Sequence, residues 1–224
     1  TYARNLMEMV QEFDTLPLVN RIKPRVGIVG EILVKYHPTA NNGVVETVER
    51  EGAEAVVPGL VDFLNYSLAG VAFKYRYLSG TRLSQVLANT AIEILELYRR
   101  PLKQALARSK RFTSPHTIWE IAQKAKQVLS LGHQAGEGWL LTGEMIKLIE
   151  AGVENIICMQ PFACLPNHVT GKGMIKELKR LYPQANIVAV DYDPGASEIN
   201  QLNRIKLMLA GAFQNLHDRS ILAK

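Results

Sequence analysis

Cysteine is scarce in this chain, and long apolar runs are missing from it. Two cysteines among 224 residues exclude the disulfide framework that holds many small secreted domains together. Two thiols also fall short of the four that usually hold an iron–sulfur cluster. No apolar run approaches the ~20 residues that a bilayer crossing needs, so no membrane partner is expected. The first residues lack the apolar region of a signal peptide, and a cytoplasmic location is expected.

A strong charge of either sign is also lacking, since 26 basic and 21 acidic residues leave a net charge of +5. The basic residues are scattered, with short clusters at Arg99-Arg100 and at Arg108, Lys110 and Arg111. This pattern favours solvated helix faces over a nucleic-acid surface, so no nucleic-acid partner is expected. An anionic ligand such as a nucleotide or CoA would fit the mild basic bias, but charge alone does not select one.

Four short apolar segments are predicted as strands. The run at residues 25–34 is rich in β-branched residues and suits a strand that is buried on both faces. Residues 55–58, 155–159 and 186–190 supply the other three strands, and helical patterns separate them. The alternation predicts an α/β fold with about four parallel strands and right-handed crossovers. A flavodoxin- or Rossmann-like order 2-1-3-4 would place the first two loops side by side.

The segment from about residue 60 to 135 contains no predicted strand. We interpret it as a helical insertion within a single α/β domain over residues 1–224, and its aromatic residues as core packing. Apolar residues keep helical spacing from Leu83 to Leu97, and Pro101 is expected to kink or end that helix. Ser114-Pro115 is expected to open the next helix. The last helix is expected to run from Ser197 to about residue 214.

Three unusual loops leave the predicted strand ends, at residues 36–43, 160–171 and 191–196. Ligands of parallel α/β sheets bind beyond the carboxyl ends of the strands. The first loop region offers Glu31, Asn41 and Asn42 as candidates, and the helix after Gly43 offers an N-terminus to an anion. Asn-Asn-Gly is also ordinary turn chemistry, and His37 before a proline is more often a surface residue.

The second loop carries Cys164. Two prolines are expected to stiffen it and Phe162 to tuck it down, which leaves the thiol near the tip. A thiol close to a helix N-terminus and to Lys172 has its thiolate favoured, as metal ligation or nucleophilic attack requires. An inert, partly buried cysteine is an equally weighted alternative. Cys158 lies within an apolar strand and is expected to be an inert core residue.

The remaining candidates are Asn167 and His168 in the second loop and Asp191 and Asp193 in the third. Cys164 with His168 is too little for a zinc site. A carboxylate after a strand can hold a ribose hydroxyl or a magnesium ion. It can equally cap the next helix or form an Asx turn, and this structural role is slightly favoured.

The loop motifs resemble a known family. They comprise residues 30–42 (Gly-Glu-Ile, Pro38, Asn-Asn), 136–141, 157–168 and 191–206. They resemble the 2-hydroxyacyl-CoA dehydratase and activase superfamily, and are similar to the C-terminal part of large proteins that fuse an activase to dehydratase-like regions. The resemblance covers most of residues 25–209, and the chain, which lacks an initiator Met, is expected to be a fragment of such a protein.

The resemblance implies a 4Fe–4S cluster held by cysteines from more than one domain, with Cys164 as the ligand from this chain. Activases of this group use ATP to drive an electron into a dehydratase, which removes water from a 2-hydroxyacyl-CoA. ATP would bind only in a separate activase part. The other thiols would come from the rest of the polypeptide or from a dehydratase or activase partner. The isolated chain is therefore expected to be inactive and to carry no intact cluster.

Three alternatives remain open at this point. The chain could be a CoA- or nucleotide-binding domain without a cluster, using the helix N-termini near residues 43 and 171. It could be a scaffold that docks the activase through the helical middle. Reductase chemistry of the double-cubane type on a small substrate would keep the cluster but not the dehydration.

Overall fold

The computed structural model describes residues 1–19, 21–195 and 197–222. Ala196, which belongs to the third predicted loop, lies outside the described residues. The chain divides into two compact units, one of residues 1–21 and 64–120 and the other of residues 22–63 and 121–224. Among the described residues, no helix is both long enough and apolar enough to cross a membrane.

Four strands and ten α-helices lie in the described ranges. The strands are β1 (Arg25–Gly30), β2 (Glu54–Val56), β3 (Asn155–Pro161) and β4 (Asn186–Tyr192). The helices are α1 (Tyr2–Thr15), α2 (Ile32–Tyr36), α3 (Val44–Arg50), α4 (Leu60–Tyr77), α5 (Arg82–Ala107), α6 (Ile118–Ala125), α7 (Gly138–Glu150), α8 (Leu165–Thr170), α9 (Ile175–Leu181) and α10 (Glu198–Leu222). A 3-10 turn at Lys172–Met174 precedes α9.

The second unit contains a four-stranded, all-parallel sheet in the order β2-β1-β3-β4. Ile28 of β1 pairs with Ile157 of β3, which pairs in turn with Val188 of β4. The predicted α/β class, the strand number and the 2-1-3-4 order are confirmed. Because all four strands run in one direction, the loops after β1, β3 and β4 leave from the same edge of the sheet.

Two apolar clusters cover the two faces of this sheet. Successive side chains of a strand point to opposite faces, so Ile157 and Cys158 enter different clusters. One face is packed by α3 and α10 through residues such as Val48 and Leu209, and we call it the α3/α10 face. The other is packed by α7 and α9 through residues such as Met145, and we call it the α7/α9 face.

The pattern of the apolar run at residues 25–34 predicted a single strand, but the run forms a strand followed by a helix. β1 ends at Gly30, and the short helix α2 follows immediately. Gly30 has a φ of +152°, and the Glu31 side chain accepts a hydrogen bond from the Val34 N–H, which caps α2. Apolar content alone could not reveal this change, because both the strand end and the helix bury apolar residues.

The first unit is helical, and it bears on two expectations about helix ends. Pro101 was expected to kink or end its helix; α5 does not end there but continues to Ala107, because a capped helix of 26 residues tolerates the loss of one hydrogen bond. Ser114-Pro115 does not open a helix, and α6 begins only at Ile118. The apolar residues of α5 from Leu83 to Leu97 keep their helical spacing, yet several are exposed (Leu83 69%, Leu97 64%). In the second unit, α10 runs to Leu222, beyond the expected end near residue 214.

Candidate functional site

A polar cluster lies at the carboxyl edge of β3 and β4, on the α7/α9 face. Gln160 and Asp191 are neighbours in the strand register, and Gln160 Nε2 donates to Asp191 Oδ1 at 2.5 Å. Lys172 Nζ lies 3.2 Å from Asp191 Oδ2, and His168 Nε2 lies 3.8 Å from Asp191 Oδ1. Three predicted site residues from two loops therefore meet around one carboxylate, and Gln160 joins them.

The Asp191 carboxylate is stabilised in its charged form. Partial burial alone would raise its pKa, but the hydrogen bonds from Gln160 and Lys172 and the positive charge of Lys172 outweigh that cost. The net result is a pKa below the ordinary value of 3.8. A carboxyl group with a lowered pKa contributes stability above its unfolded pKa, and this contribution is lost as the pH falls through the folded value.

Replacing Lys172 with Met should raise the pKa of Asp191, because the variant lacks both a hydrogen bond and a positive charge. The measurement is an NMR titration of the Asp191 side-chain carboxyl carbon between about pH 2 and 6, an interval that brackets the pKa of aspartate in model peptides. Lys176→Met, on the next helix, serves as a control for the loss of one positive charge. An Asp191 pKa that responds equally to both variants, or to neither, would rule out the local pairing.

Cys164 sits beside this cluster, at the N-cap position of α8, and its side chain is partly exposed. Its carbonyl oxygen accepts from the His168 N–H at 3.0 Å and lies 2.9 Å from His168 Nδ1. Ala163, just before it, adopts a left-handed φ of 59°. This turn places Cys164 at the edge of the sheet, with the His168 ring next to its carbonyl group.

Two expectations for this loop were wrong. Phe162 does not tuck the loop down, since 67% of it is exposed and its N–H instead donates to the Tyr192 carbonyl. The loop also contains a helix, α8, so the helix N-terminus next to Cys164 is not the one near Lys172. Pro166 in the first turn of α8 is a helix-start signal, because proline gives up an N–H that has no partner at that position.

Asn167, which is fully buried, ties α8 to the loop after β1. In the amide orientation that satisfies both neighbours, its nitrogen donates to Glu137 Oε2 at 2.7 Å and its oxygen accepts from the Glu31 N–H at 3.0 Å. Glu137 Oε1 accepts from the Ile32 N–H at 3.0 Å. Burial raises the pKa of Glu137, and the Ile32 N–H opposes that rise. Glu31, Asn167 and Glu137 thus hold the Cys164 segment against the sheet edge.

Asn41 and Asn42 lie elsewhere, on the α3/α10 face. Buried Asn41 donates to the Val34 carbonyl at 2.8 Å and accepts from the Val44 N–H, the first N–H of α3, at 3.2 Å. Asn42 donates to Gln201 Oε1 at 2.8 Å, and Gln201 Nε2 donates to the Asp191 carbonyl at 3.1 Å. The N-terminus of α3 was expected to bind an anion, but one of its N–H groups, that of Val44, already donates to the side chain of Asn41.

The last two candidates serve the backbone or face solvent. Asp193 Oδ1 accepts from the Gly195 N–H at 2.9 Å, which is an Asx turn. His37 is exposed, and its carbonyl accepts from the Ala40 N–H. Neither side chain joins the Asp191 cluster through a described hydrogen bond.

Cys158 lies in the core, as the sequence indicated. It is fully buried on the α7/α9 face, and burial raises the pKa of its thiol to about 12, so its environment opposes a thiolate. Cys164 is partly exposed and lies at the sheet edge. In the part of the chain that the structure describes, no three His, Cys, Asp or Glu side chains are placed to hold a metal ion.

Three residues of these sites were not among the predicted candidates: Gln160, Glu137 and Gln201. Gln160 carries a usable signal, because it is the first polar residue after the apolar β3 segment. Glu137 stands between two glycines, and both adopt a positive φ. The Gly-Glu-Gly sequence is therefore a signal of an unusual backbone conformation at this position. The sequence carried no corresponding signal for Gln201, because its role depends on how α10 packs.

Comparison with known proteins adds no assignment, since no family model, no curated protein and no solved structure matches the chain.

Proposed function

We propose that the chain is a dehydratase-like module of a cytoplasmic, activase-related protein. In this proposal Cys164 supplies one ligand to a 4Fe–4S cluster that other thiols complete. Those thiols belong to the rest of the polypeptide or to a dehydratase or activase partner, and ATP binds in a separate activase part. The cluster would serve ATP-driven electron transfer to a 2-hydroxyacyl-CoA, from which water is removed.

The observation that carries the proposal is the placement of Cys164. Cys164 is partly exposed and follows β3 at the carboxyl edge of a parallel sheet, where ligands of this fold class bind. It lies within the loop motif, residues 157–168, that resembles the dehydratase superfamily. The other thiol, that of Cys158, is fully buried in the core.

The residues at this edge can supply one ligand to a 4Fe–4S cluster, which is one of the four it needs. A 4Fe–4S cluster is ordinarily held by four thiolates, and the described residues bring one partly exposed cysteine to this edge. His168, Lys172 and Gln160 surround the neighbouring Asp191 carboxylate. When bound, the cluster would supply one-electron chemistry. The residues of this chain would hold one iron, fix the α8 segment through Asn167 and present hydrogen-bond donors beside it.

The isolated chain should therefore fail to hold an intact cluster after anaerobic reconstitution with iron and sulfide. The measurement is the iron and sulfide content per chain after desalting, together with the visible absorption of the cluster. The expected content lies far below four irons, because one thiolate does not retain the cluster. Near-stoichiometric iron and sulfide on the isolated chain would contradict the idea of a shared site.

A further inference from the structure

Helix α5 carries apolar side chains on two faces. One face packs inside the first unit, where Ala88 and Ile92 are buried. The other face, which we call the outer face of α5, has apolar side chains that are 51–69% exposed: Leu83, Val86, Leu87, Ile94, Leu97 and Tyr98. A helix that is apolar all round is ordinarily covered all round, and a contiguous exposed apolar patch marks an interaction surface. The iron–sulfur proposal uses none of these residues.

The spacing along the outer face is that of a seam between two helices. Five residues follow one another at intervals of four, three, four and three: Leu83, Leu87, Thr90, Ile94 and Leu97. Two helices that pack along each other use this repeat of 3.5 residues. Thr90 does not interrupt the seam, because its hydroxyl donates to the Val86 carbonyl of the same helix at 2.9 Å. The spacing therefore favours another helix as the occupant of this face.

The two ends of the outer face have complementary shapes. Near the start of α5, three exposed apolar side chains share one side of the helix and form a ridge: Leu83, Val86 and Leu87. Near the end of α5, a groove of about 660 Å³ lies beside the helix, and its lining includes Leu97, Gln104, Ala107 and Ser114. Helices associate by packing the ridges of one into the grooves of the other. In an antiparallel pair of α5 helices, each ridge lies opposite the groove of the other copy.

The charges on the outer face point to a second copy of the chain. Glu93 and Arg100 are exposed, and neither forms an ion pair with any residue that the structure describes. Glu96, between them, pairs instead with Arg99 and Lys103. Seven residues separate Glu93 from Arg100, about 10.5 Å along the axis, which is too far for the two to pair within one helix. In an antiparallel pair, Glu93 of each copy lies beside Arg100 of the other, whereas a partner of one charge sign would complement only one of them.

We propose that two copies of the chain associate through the outer faces of their α5 helices, antiparallel and related by a two-fold axis. Ile94 of each copy packs on Leu97 of the other at the centre, and each Leu87 enters the groove of the other copy. Glu93 of each copy pairs with Arg100 of the other. The two-fold axis makes every contact twice, so one helix supplies the ridge, the groove and both charges.

Sedimentation velocity of the unmodified chain, from about 1 to 300 µM in 0.15 M NaCl, tests this association. We expect a reversible monomer–dimer equilibrium with a Kd on the order of 10–100 µM, as a small interface gives. Leu87→Glu should weaken the dimer about tenfold or more, because it places a charge in an apolar groove. Its side chain is 61% exposed, so the variant should fold. Leu207→Glu, at an exposed leucine of α10, is the control and should leave the Kd unchanged.

Charge reversals test the pairing itself. Glu93→Arg and Arg100→Glu should each weaken the dimer about fivefold, because each creates two like-charge contacts. The double variant Glu93→Arg/Arg100→Glu should recover the unmodified Kd to within about twofold, because the opposite charges face each other again. Association through α5 is overturned if the chain stays monomeric up to the highest concentration, or if Leu87→Glu dimerises as well as Leu207→Glu does. A double variant as weak as the single ones would overturn the antiparallel pairing.

Discussion

Replacing Lys35 with Met should lower the free energy of unfolding by about 3–5 kcal/mol, because it leaves a buried carboxylate without its cation. Lys35 Nζ lies 2.9 Å from both carboxylate oxygens of Glu144, and the two side chains are 4% and 3% exposed. Nζ also lies 5.1 Å from the centre of the Tyr36 ring. Water cannot take over the role of the ammonium group at such a depth, so most of the penalty persists in the variant.

The pH dependence of this loss has a definite sign. Burial raises the pKa of Glu144, and the Lys35 ammonium opposes that rise in the unmodified chain. Without Lys35, folded Glu144 holds its proton to a higher pH than unfolded Glu144 does. The variant should therefore recover part of its stability as the pH falls through the folded pKa. Urea unfolding at a series of pH values measures this recovery.

Two comparisons isolate the effect of burial. Lys124→Met breaks a partly exposed ion pair with Glu150, in which the N–O distance is 2.8 Å, and should cost less than about 1 kcal/mol. The double variant Lys35→Met/Glu144→Leu should regain most of the loss, since no uncompensated charge remains. Equal losses for Lys35→Met and Lys124→Met would show that the Lys35 pair is not buried as described.

The second large effect is expected from Gly30→Ala, which should cost more than about 3 kcal/mol. A Cβ at Gly30 would lie 2.1 Å from the carbonyl oxygen of Met159, and the φ of +152° is a conformation that residues with a side chain rarely adopt. The methyl group would force β1 and β3 apart at the edge that carries both loops. It would also disturb the hydrogen bond from the Glu31 N–H to the Met159 carbonyl.

Gly59→Ala is the matched control, because a Cβ there meets no atom within 4 Å. Urea unfolding of both variants should show a small change for Gly59 and a large one for Gly30. If Gly30→Ala unfolds at nearly the same urea concentration as the unmodified chain, Gly30 does not approach the Met159 carbonyl as closely as the structure shows.

The sheet was predictable because it depends on local patterns. Short β-branched runs such as residues 155–159, separated by helical periodicity, predicted a parallel sheet with right-handed crossovers. They did not fix the strand order, and 2-1-3-4 was named because it places the first two loops side by side. The helix ends were less predictable. Phe162 illustrates the reason, since an aromatic residue in a proline-rich loop is expected to be buried, yet the left-handed turn at Ala163 leaves it exposed.

The sequence indicated which loops carry the candidate residues, but it did not indicate which of these residues contact one another. Asp191 lies at the end of β4, whereas His168 and Lys172 follow β3, and the three do meet. Asn41 and Asn42 came from an equally suggestive loop but lie on the other face of the sheet. Alternation along a strand decides which face a residue joins, and the sequence of a loop beyond the strand does not carry that alternation.

We proposed that Cys164 ligates a shared cluster, and the cluster content of the completed site tests this proposal most directly. The chain is purified anaerobically together with the polypeptide or partner proposed to supply the other thiols, and iron and sulfide are counted in this assembly and in its Cys164→Ser and Cys158→Ser variants. We predict that Cys164→Ser loses most of the cluster, while Cys158→Ser retains it and mainly loses stability through altered core packing. Equal cluster content in the unmodified protein and in Cys164→Ser would contradict the ligand assignment.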